Sequence, residues 1–188
     1  VSPILGIWAS QNYSRITSSY ESIATVTVGS GGSATISFTS IPATYTHLQI
    51  RAISRTSGSA GGYVYMQYNG DTGSNYTRHQ LYGDGSSAAA YGASADTKAL
   101  AAYQTISTAL SNTFASIVLD ILDYANTNKY KTFRVLNGYD VNGAGGYVFF
   151  MSSAWLSTSA INSITLYPEA SQNFGQYTQF ALYGIRGA

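Results

Sequence analysis

Hydrophobic and polar residues alternate in steps of two along most of this chain. From 47 to 52, Leu48, Ile50 and Ala52 fall on one side and His47, Gln49 and Arg51 on the other. That is the spacing of a strand with one face in a core and one in water. Residues 23–29 and 34–39 carry the same signature and flank Gly29-Ser30-Gly31-Gly32-Ser33, whose glycines tolerate the positive φ of a tight loop. The pattern predicts a hairpin there. Further strands are predicted at 63–68, 76–82, 114–122, 132–136, 147–153, 161–167 and 178–185, separated by turn-rich segments such as 69–75, 125–128, 138–146 and 168–175. The run 114–122 is nearly continuous in apolar residues and reads as a central strand covered on both faces. Residues 83–98, rich in Gly, Ser and Ala, read as a long surface loop with room for one helical turn.

About nine or ten strands in one chain of this length fit an all-β fold, a two-sheet antiparallel β-sandwich of jelly-roll type, spanning 22–188. Composition agrees: 17 Tyr, 7 Phe and 2 Trp favour pleated, half-buried surfaces. Residues 1–21 differ. Pro3 and the apolar cluster Ile4, Leu5, Ile7 and Trp8, followed by a polar stretch, make neither a good helix nor a good strand. They read as an extended N-terminal arm, with those four apolar residues as its anchor on a neighbouring subunit or back on its own domain.

The chain has 188 residues, the size of one domain. Charged residues make up 9%, against about 25% in ordinary domains, so solubility rests on Ser, Thr, Asn, Gln, Gly and Tyr. A formal charge of +1 and the lack of a basic run argue against nucleic acid as a partner. No apolar run approaches the ~18 residues of a membrane span, and the first residues are too short and uncharged for a signal peptide, so a soluble chain is expected. Zero cysteines exclude a disulfide framework, a thiolate metal site and a cysteine nucleophile.

Little catalytic chemistry is legible, and no cofactor is expected. The two histidines, His47 and His79, follow no nucleophile elbow, and two isolated histidines do not make a zinc site. His47 reads as an exposed strand residue. Of the carboxylates Asp71, Asp84, Asp96, Asp120, Asp123, Asp140 and Glu169, the pair Asp120 and Asp123 is separated by an odd number of residues and points to opposite faces, which suits no two-carboxylate hydrolysis. Asp120 is expected to pair with Arg134 on the next strand. Asn69 to Asn75 has alternating oxygen ligands but no closing glutamate of a calcium loop, and reads as a turn. Glycan binding is the best supported chemistry, because sugar C–H faces stack on aromatic rings while hydroxyls need polar partners. The candidate contacts are Tyr76, Arg78, Tyr82, Asp84 and Trp155, with Tyr63, Tyr65, Asn75 and Tyr91 also eligible.

The segments Ser2 to Ile7, Tyr20 to Val28, Ile41 to Arg51, Leu119 to Thr127 and Phe180 to Ile185 together resemble a family of tailed-bacteriophage virion proteins, cyanophage-like and described as structural, tail-fibre-like or capsid decoration proteins. The resemblance implies a non-enzymatic, multi-copy subunit, trimeric and exposed on the virion. Two placements follow: a decoration or cement protein on the capsid, or a short fibre or adapter subunit. A different class is a receptor-binding, lectin-like module recognising host glycans. The expected partners are further copies of the chain, other virion proteins and host surface glycans.

Overall fold

The computed structural model describes residues 19–143 and 145–187. Twelve strands follow one another: β1 (Tyr20–Thr27), β2 (Ile36–Phe38), β3 (His47–Ser54), β4 (Tyr63–Tyr68), β5 (Tyr76–Gly83), β6 (Ala88–Asp96), β7 (Ala99–Tyr103), β8 (Ala115–Leu122), β9 (Lys131–Asp140), β10 (Gly146–Trp155), β11 (Ile164–Pro168) and β12 (Gln179–Ile185). They form two antiparallel sheets, one in the order β1-β12-β3-β8-β9-β10-β5-β6 and a smaller one in the order β2-β11-β4-β7. The expected anchor residues Ile4, Leu5, Ile7 and Trp8 lie outside the described residues. Tyr20 and Glu21, counted with the arm on sequence, open β1 and pair with Ile185 and Gly184.

Alternation sets the core. Leu48 and Ile50 of β3, Ile117 and Leu119 of β8, and Phe133 and Val135 of β9 are buried from the large sheet, facing Val64, Met66 and Tyr68 of β4 and Ile164 and Leu166 of β11. Tyr68 meets Phe133 edge-on at 5.8 Å, an arrangement that aligns the ring edge with a π face. Burying each such side chain stabilises the fold by roughly 1.5–3 kcal/mol. At one end of the sheet Lys131 is buried too, and its Nζ donates to the carbonyls of Asn126, Lys129 and Thr158. Those bonds tie the β8–β9 and β10–β11 loops to one point while satisfying a cation that would otherwise be costly to bury.

Four features depart from the pattern-based expectations. The glycine-rich segment 29–33 does not close a hairpin: β1 pairs with β12 and β2 with β11, in different sheets. Ile36 and Phe38 reach the core from the opposite side to Val28, so the glycine segment, with Gly32 at φ +71°, carries the chain across the sandwich. The 114–122 run is central, between β3 and β8's other neighbour β9, but only one face is covered. Ala115, Ile117, Leu119 and Ile121 point inward while Ser116 and Val118 are exposed. Residues 83–98 are not a loop: 88–96 form β6, an edge strand paired with β5. Backbone bonding to β5 offsets the poor strand propensity of its Ala, Ser and Gly residues, and an edge needs little side-chain packing. Finally β7 was not anticipated. Ala99, Leu100, Ala101 and Ala102 are all buried, and the three alanines let β7 sit close against β9 and β10 across the sandwich.

Candidate functional site

The sheets differ in width, and this makes the site. The small sheet covers only part of the large one: Tyr68 of β4 packs on Phe133 of β9 and Trp155 of β10, and the sheet ends at β7, which packs near β9, β10 and β5. Beyond it the inner face of β10, β5 and β6 overhangs, leaving a cleft of about 310 Å³.

Aromatic rings line it. The Tyr103 backbone N–H donates to Oδ1 of the buried Asn137 at 2.7 Å, which fixes the end of β7 against β9. The Tyr103 ring then stacks on Phe149 at 4.9 Å and 11°. Tyr63 meets Tyr103 edge-on at 4.8 Å, and Tyr82 stacks on the other side of the group against Phe149 at 5.5 Å. Tyr147 and Tyr139 extend the cluster. Burial raises the phenol pKa of Tyr63 and Tyr103 and pushes that of Tyr139 up to about 12. These hydroxyls therefore remain protonated donors at neutral pH.

Polar groups sit among the rings. Arg78 donates through one terminal nitrogen to Asp96 Oδ2 at 2.7 Å, and its guanidinium lies 5.5 Å from the Tyr91 ring centre. The pair is charge-neutral. Gln80, only 9% exposed, stands between Arg78 and Tyr82 on the same face of β5. Arg78 Nε, Gln80 Oε1 and Ser153 Oγ are buried and find no hydrogen-bond partner among the described residues. Ser153 is directly opposite Arg78 in the β5–β10 register. An unmet buried donor or acceptor costs roughly 1–3 kcal/mol, so three on one patch of sheet are a concentrated polar demand.

Of the five sequence-based glycan contacts, Arg78 and Tyr82 line the cleft, with Tyr63 and Tyr91 beside them. Tyr76 and Trp155 do not: they are 1% and 2% exposed and fill the core around Tyr68. Trp155 Nε1 donates to Asp71 Oδ2 at 2.6 Å. Asp84 belongs to the β5–β6 turn, where it accepts from the backbone N–H groups of Ser86 and Ser87, and these bonds hold its carboxyl down at about 2. Asn75 donates to Asp71, and Tyr65 lies under Lys98, 3.9 Å from its ring centre. Tyr103, Tyr147, Phe149 and Gln80 were not singled out on sequence. Gln80 was within reach, since period two places it between Arg78 and Tyr82.

The remaining sequence candidates are engaged elsewhere. Asp120 accepts from Arg134 Nε at 3.2 Å and from Gln49 at 2.7 Å, so the expected pairing exists, though on the outer face. Asp123 pairs with Lys129 and lies 3.6 Å from His47, whose Nδ1 accepts the Asp123 backbone N–H. His47 is thus half-buried and bonded rather than a free strand residue. The 69–75 segment is a turn in which Asp71 binds Gly73, Asn75 and Trp155.

A second surface lies on the opposite side of the same strands. Val118, Leu136, Phe150, Leu81 and Ala90 stand in direct register across β8, β9, β10, β5 and β6, all pointing outward. Leu136 is 58%, Phe150 52% and Leu81 57% exposed. The next row, Ile53, Ser116, Gly138, Val148, Gly83 and Ala88, is uncharged. On the other flank runs a polar row containing the Asp120–Arg134 pair and His79. The band presents apolar surface on the order of several hundred Å², the size at which such a patch marks an interaction site.

No family model matches the chain, and no curated protein or solved structure matches it.

Proposed function

We propose that this chain is a non-enzymatic structural subunit of a tailed-phage virion, displayed on the particle surface and assembled as a homotrimer through the outer face of its large sheet. The observation that carries the reading is the in-register band Val118-Leu136-Phe150-Leu81. Four exposed apolar side chains aligned across neighbouring strands gain little in water and much against a partner. From β8 to β6 the band is uncharged, its β3 neighbour in register being Arg51, so copies of one chain meet along the apolar part without repulsion, and the polar row beside it supplies a rim.

Topology supports the same reading. With the β5–β6 and β9–β10 hairpins set aside, the strand orders are β1-β12-β3-β8 and β2-β11-β4-β7. That interleaving fits two Greek keys folded as a jelly roll, an architecture used by viral capsid and lectin domains. The sequence resemblance and the charge-poor surface point the same way. In this reading the residues ahead of β1 serve as the arm that anchors the subunit to capsid or tail, in a decoration or adapter position.

Sedimentation of the purified protein tests the assembly face. The native chain should sediment as a trimer at micromolar concentration. Leu136→Glu with Phe150→Glu should give a monomer of unchanged circular dichroism, because two carboxylates buried at the interface would weaken association by about a hundredfold or more. A native chain that stays monomeric at about 100 μM, or a double variant that still assembles, would refute the face.

A further inference from the structure

We infer that the cleft between β7 and the overhanging β10–β5–β6 part of the large sheet is a binding site for a neutral saccharide of one or two sugar rings. The inference is independent of how the subunit assembles, because the cleft and the apolar band occupy opposite faces of the same strands. Leu81 and Phe150 point out while Gln80, Tyr82 and Phe149 point in. Assembly through the band leaves the cleft open.

Three properties of the cleft define the ligand. Tyr63, Tyr82 and Tyr103 line the cleft around the buried Phe149, on which Tyr82 and Tyr103 stack, and their rings supply apolar surface for the C–H groups of a pyranose. Beside those rings, Gln80 Oε1 needs a donor and Arg78 Nε an acceptor, and neither has one among the described residues. The protonated Tyr63 and Tyr103 phenols add donors at neutral pH. A purely apolar guest would leave those demands unmet. A polyhydroxyl compound meets both kinds at once, since each hydroxyl donates and accepts.

Charge sets the third property. Arg78 is neutralised by Asp96 at 2.7 Å, so the site has no spare cation to select a uronate or sialic acid. The volume of about 310 Å³ is at the lower end of the ~300–1,000 Å³ typical of ligand sites, which suits a sugar terminus rather than a long polymer groove. Repetition of a weak site on a multi-copy particle would raise avidity without any new contact.

Saturation-transfer difference NMR on the full chain is the test. The neutral probes are cellobiose, maltose, lactose and N,N′-diacetylchitobiose, with glucuronic acid as the anionic one. Irradiating aromatic protons should transfer saturation to ring C–H protons of at least one neutral disaccharide, with a Kd of about 1–10 mM. Gln80→Met keeps the side-chain length and removes the amide. It should weaken that binding about tenfold, the worth of one lost hydrogen bond, while melting no lower than the native chain. Tyr82→Ala should abolish the transfer. The inference fails when none of the four neutral sugars saturates, when glucuronic acid alone binds, or when both variants bind as the native chain does.

Discussion

Asp71→Ala is expected to destabilise the protein by about 2–4 kcal/mol and to lower its melting temperature by roughly 5–15 °C. The Asp71 carboxylate accepts from Trp155 Nε1 at 2.6 Å, Asn75 Nδ2 at 2.9 Å and the Gly73 backbone at 2.8 Å, and its carbonyl accepts from the Tyr76 hydroxyl at 3.1 Å. Asp71 therefore ties the turn 69–75 to both β10 and β5. Truncation leaves the indole N–H of a 2%-exposed Trp155 without its acceptor, and a buried unsatisfied donor costs more than the bond itself contributed. Asp71→Asn, which keeps one carbonyl acceptor, should lose about half as much. Burial pushes the carboxyl pKa up, but the bonds from Trp155, Asn75 and Gly73 outweigh it and hold the group below its ordinary value. A depressed carboxylate contributes stability that is present above its unfolded pKa and lost as pH falls through the folded one. The same turn should thus loosen in acid. Thermal melts with tryptophan emission read both effects, and an Asp71→Ala melt within 1 °C or so of native would show the turn is not held this way.

Alkali should unfold the protein between about pH 10 and 12. Burial pushes the Tyr76 phenol up to about 12, against the lowering effect of the Tyr68 N–H that bonds its oxygen. Burial also raises Tyr68 well above the ordinary value and takes Tyr65 and Tyr139 to about 12. A raised folded pKa means stability fully present below the unfolded value of 10 and lost as pH climbs through the folded one. Each pH unit in that window costs about 1.4 kcal/mol per such group, so Tyr76 alone withdraws roughly 2–3 kcal/mol by pH 12. Against a total of about 5–15 kcal/mol for a domain, several tyrosines together exhaust the margin. Tyrosinate absorbance and loss of the strand circular dichroism signal should rise together. Buried tyrosines ionising near pH 10 with the fold intact would contradict the packing of the Tyr68–Tyr76–Trp155 core.

Period-two patterning made the strands legible wherever one face is wet. Leu48, Ile50 and Ala52 against His47, Gln49 and Arg51 is such a case, and β3 spans those residues. The pattern misled where both faces look alike. In 114–122 the second apolar face, Val118 above all, is directed to solvent rather than to a second layer, where it aligns laterally with the exposed Leu136 and Phe150. Alanine-rich 88–103 has no alternation to read, because its strands are specified by neighbours: β6 by bonding to β5, β7 by pairing with β4 in a fully buried position. The glycine segment 29–33 is locally compatible with either a hairpin or a crossing between sheets, and distant pairing with β11 and β12 decides it.

The site was half legible for a related reason. Arg78 and Tyr82 share a face by alternation, but Tyr76, on the same face, falls under the small sheet instead of beyond its edge. Where the covering sheet stops is a tertiary fact. Likewise Phe149 and Tyr103 join the cleft through the β10–β5 register and the Asn137 bond to β7, neither of which leaves a mark in the linear text.

On the proposed reading as a virion subunit, electron-microscopy density of the intact particle tests the account most directly. It should trace copies meeting through Val118, Leu136, Phe150 and Leu81, with the aromatic cleft open to the outside. Density in which those four side chains face solvent and another surface joins the copies would contradict it.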